Sequence, residues 1–268
     1  MYKIGINFQT AKVISETSGE DILSVLKNLK LTGISSLDIL YDDLISNNTY
    51  SNILSSGLEI SSVYYMGDLS ILDSFSNFLK IIDDLYKKRI KNFMVLPIVS
   101  NNIEDNYMFN LKHNLKLIVK YAKNFDVQVA LENYGLNEPF SSVLGIKSLL
   151  KAVKGIGFVY DSGNFYLAGE NPYNAYCELE NYITRIHLKD MAISKIKDKF
   201  SQKTKNGEDI TVYPLGEGDS LIDSILNSAL ENDGVKEFVL EGVRESDMLV
   251  DTINSIIYLK TKFNDYEN

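Results

Sequence analysis

Apolar residues recur along this chain in two alternating rhythms. Short β-rich runs are followed by stretches with hydrophobics at helical spacing, and the change of period marks each element. The runs predict strands at KIGINF (3–8), GISSLDIL (33–40), GLEISSVYYM (57–66) and NFMVLP (92–97). Four more follow at QVALENY (128–134), GIGFVYDSG (155–163), ITRIHLKD (183–190) and EFVLEG (237–242). Helical spacing predicts helices over 21–30 (with Asp21 as N-cap), 42–54, 72–90 and 105–125 in the first half. In the second half it predicts them over 142–153, 172–180, 221–231 and 247–263.

Strands that alternate with helices imply a parallel sheet, because each parallel connection needs a crossover. Eight such units in 268 residues predict an α/β fold, a closed (β/α)8 barrel forming one domain over 1–268. A dinucleotide-binding sheet does not fit, since no G-x-G-x-x-G follows the first strand. Residues 191–214 break the rhythm: they are polar and Lys-rich and carry an Asn206-Gly207 turn signal. They are expected to form a long loop on the C-terminal face of the barrel, covering the active site.

Charge narrows the function classes. With 36 acidic and 27 basic residues the net charge is -9, which repels phosphate backbones and argues against nucleic acid as a partner. No apolar stretch approaches the roughly 20 residues of a membrane span. The N-terminus lacks a basic segment leading into an apolar run. The single cysteine, Cys177, cannot form an internal disulfide and is expected as a half-buried structural thiol in a helix. These features lead to an expectation of a cytoplasmic protein without membrane contact, and leave a homo-oligomer open.

The chemistry concentrates at four strand ends. Glu132, Asp161, His187 and Glu241 each follow an apolar run, where a strand reaches the rim of its sheet. Side-chain alternation puts Glu132 on a face with Ala130, Asp161 with Val159, His187 with Arg185 and Lys189, and Glu241 with Val239. If those faces point inward, the last inward side chain of each strand is an acid or the histidine, at the rim where barrel active sites lie. Spacings of 29 and 26 residues suit one βα unit each, and 54 suits one unit plus the insertion. Singly, any of the four would serve as a rim ion pair or helix cap. Together, clustered carboxylates repel and call for a cation. Three carboxylates and an imidazole favour Mn2+, Mg2+ or Co2+, with Zn2+ also acceptable.

On these residues, and on the HLKD, LGEGD and LEG strings, the chain resembles the xylose isomerase-like TIM barrels, the sugar phosphate isomerases/epimerases. The resemblance implies that Glu132, Asp161, His187 and Glu241 bind one divalent cation, Mn2+ foremost. It implies a metal-dependent isomerase or epimerase of a small sugar or polyol, with Glu132 and Glu241 as the catalytic acids. One would remove a C–H proton and the other return it through an enediolate. Alternatives on the same site are dehydration of a keto-inositol-like substrate, or a non-catalytic sugar-binding barrel. The repair endonucleases of this superfamily need a histidine-rich zinc cluster, and this chain has two histidines.

Substrate-contacting candidates are Glu138, Asn164 and Lys189. Asn164 stands where ketose epimerases of the family often carry histidine, and Ile193 where they carry arginine. The glycine amides of Leu215-Gly216-Glu217-Gly218-Asp219-Ser220 could hold an anion. Capping of the next helix by Asp219 or Ser220 is expected instead, and with it an unphosphorylated substrate. His113 is expected on a helix surface.

Overall fold

The computed structural model describes residues 2–46, 48–98, 106–194, 199–232, 234–244 and 248–267. The elements run β1 (Lys3–Asn7), α1 (Phe8–Ser18), α2 (Ile22–Thr32), β2 (Ser36–Leu40), α3 (Tyr41–Ile45), α4 (Thr49–Ser56), β3 (Glu59–Gly67) and α5 (Ser76–Lys87). Then come β4 (Asn92–Pro97), α6 (Tyr107–Ala122), β5 (Gln128–Glu132), α7 (Val143–Ala152), β6 (Gly157–Asp161), α8 (Ser162–Leu167) and α9 (Pro172–Leu179). The last are β7 (Ile183–Leu188), β8 (Asp190–Ile193), β9 (Gln202–Lys203), β10 (Asp209–Tyr213), α10 (Ile222–Glu231), β11 (Glu237–Leu240) and α11 (Met248–Glu267).

Strands β1 to β7 and β11 pair in parallel and close on themselves, β11 joining β1 to β7. This is the (β/α)8 barrel that the alternating pattern predicts. Each strand divides its side chains between two environments. Val129 and Leu131, Phe158 and Tyr160, Ile186 and Leu188, Phe238 and Leu240 face out into the apolar layer beneath the helices. The helices return fully buried residues to that layer, among them Leu26 of α2, Leu85 of α5, Leu115 and Ile118 of α6 and Leu149 of α7. Each such side chain contributes about 1.5–3 kcal/mol by leaving water. The alternate residues face the barrel axis, where Met94, Leu96, Ala130 and Val159 form a separate apolar plug. Glu132 and Asp161 stand two residues beyond Ala130 and Val159, at the next inward position of the same face.

Local chemistry sets the helix starts. Asp21 caps α2 by accepting from the Ser24 amide at 3.1 Å, and Ser142 caps α7 by accepting from Gly145 at 3.1 Å. Two helices escape the hydrophobic pattern. Helix α1 begins directly after β1, where Asn7 accepts from the Gln9 amide, and α8 is a six-residue turn capped by Asp161. The helix expected over 42–54 is two, α3 and α4. Asp105 and Asp247, where two helices were expected to start, lie outside the described residues.

The expected long loop contains a small sheet. Strands β8, β10 and β9 form a three-stranded antiparallel layer, with Ile210 opposite Ile193 and Val212 opposite Met191. The β-branched and aromatic run Ile210-Thr211-Val212-Tyr213 explains the pairing. Asn206-Gly207 turns the chain as expected, with Gly207 at φ +86. Residues 195–198 of this segment lie outside the described residues.

Candidate metal centre

Glu132, Asp161, His187 and Glu241 each offer a ligand atom, and these atoms lie within 4.8 Å of one another. Strand alternation delivers them. Glu132 and Asp161 are the last residues of β5 and β6, His187 is the next-to-last of β7, and Glu241 directly follows β11. His187 Nδ1 is 2.8 Å from Glu132 Oε1 and 2.6 Å from Glu241 Oε2. Asp161 is fully buried; one oxygen caps α8 through the Asn164 amide at 2.7 Å, and the other is left facing the cluster.

The donor set fits a divalent cation on its own geometry. Glu132 Oε1, Asp161 Oδ2 and His187 Nδ1 are buried and have no hydrogen-bond partner among the described residues. Their short contacts are charge approaches without hydrogen-bond direction. Buried polar atoms are rarely left in this condition. Three of them converging on one point, two anionic and one imidazole, form a ligand set of oxygen and nitrogen type.

Neighbouring groups orient the ligands. His187 Nε2 lies 2.9 Å from Asp38 Oδ2, so the Nδ1 edge faces the carboxylates. Asp38 is itself held by Arg185 Nη1 at 3.2 Å, and Arg185 Nη2 reaches Glu237 at 3.2 Å. Asn133 braces the next ligand: its side chain accepts from the Asp161 amide at 2.9 Å and donates to the Asp161 carbonyl at 2.8 Å.

Lys189 enters the cluster from the side. Its Nζ stands 3.0 Å from Asp161 Oδ2, 2.9 Å from Glu241 Oε1 and 3.1 Å from Asn164 Oδ1. Gly163 makes room for its stem, since a Cβ there would come within 2.6 Å of Lys189 Cγ. Charges this close shift one another. Burial, and then the Glu241 charge, push the Glu132 carboxyl up to about 7. Burial also raises Asp161, against the pull of Lys189. For Glu241 burial is outweighed by Lys189 and His187, and its carboxyl is held well below the usual range. For His187 burial opposes the charged ring, but Glu241 and Glu132 outweigh it and raise the pKa.

Of the three expected substrate contacts, only Lys189 reaches the four-residue cluster with its side chain; Asn164 touches it through its backbone amide on Asp161. Asn164 is turned into the frame, donating to the Asn133 carbonyl at 2.9 Å while accepting from Lys189. Glu138 lies in the loop before α7, accepting from the cap residue Ser142 Oγ at 2.7 Å, outside the four-residue group. Above Glu241 and Lys189 opens a cavity of about 220 Å³, lined also by Asn7, Tyr64, Phe200 and Gln202. The β8–β10 segment therefore forms one wall of that cavity.

The LGEGDS string has a different job from the one expected. Helix α10 starts after Leu221, with no side-chain cap, so neither Asp219 nor Ser220 caps it. The amides of Gly216, Gly218 and Ser220 instead donate to the Asp190 carboxylate at 2.9, 3.0 and 3.1 Å. Cys177 is exposed, because Ala175, Tyr176 and Leu179 take the buried face of α9. His113 lies on α6, half-buried, 3.1 Å from Asp73. Asp38 and Asn133 carry no signal in the sequence beyond a polar residue inside an apolar run.

The model of the family described as xylose isomerase-like TIM barrel matches residues 68–246, two thirds of the chain and all four residues of the cluster. The protein belongs to this family. Solved structures agree on the fold over nearly the whole length. An L-ribulose 3-epimerase superposes with a TM-score of 0.76 at 12% identity, covering 100% of this chain and 96% of that one. A probable 3-DHS dehydratase, AsbF from Bacillus anthracis, gives 0.73 at 13% identity over 96% and 98%. The IOLI protein with a bound zinc atom gives 0.72 at 15% identity over 98% and 97%. A phosphopantetheine adenylyltransferase from Wigglesworthia glossinidia brevipalpis is 28% identical over 118 residues, 43% of this chain and 68% of that protein. That likeness spans less than half of a chain eight of whose strands close into a barrel, and it does not alter the family. Among the described residues no helix of this xylose isomerase-like protein is long and apolar enough to cross a membrane.

Proposed function

We propose that the protein is a divalent-metal-dependent isomerase or epimerase of a small, unphosphorylated sugar or polyol, working by proton transfer at a carbon next to a carbonyl. The convergence of Glu132, Asp161, His187 and Glu241 within 4.8 Å beneath an open cavity carries this reading. The four would hold one cation, Mn2+ fitting this donor set best and Mg2+, Co2+ or Zn2+ being accepted. When bound, such an ion supplies a Lewis acid that makes the C–H beside a coordinated carbonyl easier to ionise.

The residues divide the remaining work. Glu132 and Glu241 come from strands on opposite sides of the cluster, one in position to take the proton and the other to return it. Proton return on the opposite face gives an epimer; return to the neighbouring carbon gives an aldose–ketose pair. Lys189 places a cationic donor at the cavity floor, suited to a substrate oxygen that gains negative charge. Asp161 and His187 serve as ligands alone, each fixed by its own neighbours. A cavity of about 220 Å³ is smaller than the roughly 300–1,000 Å³ of pockets for drug-sized ligands and suits a single sugar ring. Filling of the glycine amides by Asp190 supports a substrate without phosphate at that place.

The test is metal analysis of the purified protein, followed by NMR of solvent deuterium entering a panel of ketoses. Metal-dependent exchange that falls about 100-fold or more in Glu241→Gln is expected. A metal-loaded protein that exchanges no member of the panel, or exchange untouched by Glu241→Gln, would overturn the reading.

A further inference from the structure

Helices α6 and α7 contain no acidic residue, although acids outnumber bases 36 to 27 in the chain. Lys112, Lys116 and Lys120 follow one another at four-residue intervals along one face of α6. Lys147 and Lys151 do the same along α7. Beside α6 lie two cavities that share Ala152 of α7 as a lining residue. The first, about 900 Å³, opens at the N-terminal ends of β4 and β5, where Lys91, Lys123 and Lys154 add to the lysines of α6. The second, about 530 Å³, lies between Lys112 and the α7 lysines. Lys91 is paired with Asp126 and Lys147 with Glu178. The other six lysines have no carboxylate partner among the described residues.

Two exposed apolar side chains stand at the helix starts. Leu144, near the start of α7, lines the second cavity and is 80% exposed; Phe109, near the start of α6 and three residues before Lys112, is 66% exposed. Lysines at i, i+4 and i+8 without intervening acids repel, so α6 sacrifices stability to hold them. An anionic partner would offset that repulsion.

We propose that the α6–α7 groove is a docking surface for an acidic segment of another protein, apolar at one end and rich in Asp or Glu over the rest. From Phe109 to Lys123 the groove runs about 21 Å at 1.5 Å per residue, a length that about six extended residues cover. The apolar anchors give a peptide side chain a contact that a phosphodiester cannot use. The net charge of -9 works against both nucleic acid and a second acidic copy of the chain at long range, whereas a short acidic segment meets the local field of the groove.

The probe is a fluorescein-labelled peptide of two leucines followed by six glutamates, titrated with the full-length protein and read by anisotropy. Saturable binding that weakens as salt is raised is expected. Lys116→Glu with Lys120→Glu and Lys151→Glu should weaken it by about tenfold or more. Phe109→Ala with Leu144→Ala should weaken it by about fivefold. Thermal melting and metal binding of each variant report whether the barrel is intact, and single Lys120→Gln or Lys151→Gln variants replace any that does not fold. Three results would overturn the proposal: no saturable binding; charge reversal without effect; or a single-stranded oligonucleotide of equal charge binding as tightly and ignoring the Phe109 and Leu144 changes. Self-association lost on charge reversal, with no peptide binding, would assign the groove to a second copy and also overturn it.

Discussion

His187 and Asp38 are 149 residues apart in the chain, yet the Nε2 of one lies 2.9 Å from the Oδ2 of the other. The contact spans the barrel interior from β7 to β2, and both side chains are fully buried. With Nε2 committed to Asp38, the Nδ1 lone pair is the one available to a cation. Asp38→Asn keeps the shape but removes the charge that makes the imidazole a stronger ligand. Affinity for Mn2+, measured by titration calorimetry, should fall about 10–100-fold. An unchanged affinity would show that Asp38 has no orienting role.

Cation binding should depend on pH with a definite sign. Without metal, Glu132 holds its proton up to about 7, Asp161 is also raised, and His187 is raised above its ordinary value. A ligand must release its proton to bind, so affinity for Mn2+ should increase from about pH 6 to about pH 8 with protons released. The same shifts act on folding. Groups that bind protons more tightly in the folded protein make it less stable as pH rises through their range. Glu241, shifted the other way, acts only below its ordinary range. The metal-free protein should therefore lose thermal stability as pH rises from about 5 to 8, and saturating Mn2+ should flatten that slope. Scanning calorimetry in chelator and in Mn2+ checks both.

Lys189 competes with a cation for Asp161 and Glu241, which it approaches to 3.0 and 2.9 Å. Lys189→Met should bind Mn2+ about tenfold more tightly, because it removes a positive charge next to the ion. The same change should lower turnover by about 100-fold, through loss of the donor at the cavity floor. Weaker metal binding together with normal turnover would rule out both roles.

Asp190 takes three backbone amides into one carboxylate. Asp190→Ala should cost about 3 kcal/mol of stability in urea unfolding, since those amides lose their acceptor. Inorganic phosphate should then stabilise the variant more than the parent, because the vacated amides form an anion site.

Much of the cluster was legible because each of its four residues sits in its own short string at the end of its own strand. Strand alternation alone places Glu132, Asp161, His187 and Glu241 on inner faces, and eight strands bring inner faces together. Asp38 could not be read in this way, since its partner is brought near only by barrel closure and a single aspartate in GISSLDIL resembles an edge residue. Asp190 is similar: its partners lie 26 to 30 residues on and are backbone amides, which leave no pattern of residue types. Helix α8 was hidden by its length of six residues and by a cap, Asp161, whose other oxygen faces the four-residue cluster. The β8–β10 sheet was masked by the lysines between its strands. Asn164 and Glu138 carry suitable chemistry at suitable offsets, but each is held by a helix start instead of facing the four ligands.

Along the barrel axis, charge alternates in sign from bottom to top. Ser36 donates to Glu237, Glu237 meets Arg185, Arg185 meets Asp38, Asp38 meets His187, and His187 meets the two glutamates at the rim. Most barrels of this size fill their centre with branched aliphatic layers that can be exchanged one at a time. Here an ionic column runs through the interior with an apolar plug beside it, so its parts are bound by sign as well as by volume. A change of charge at Glu237 would be passed through Arg185 and Asp38 to His187 at the rim.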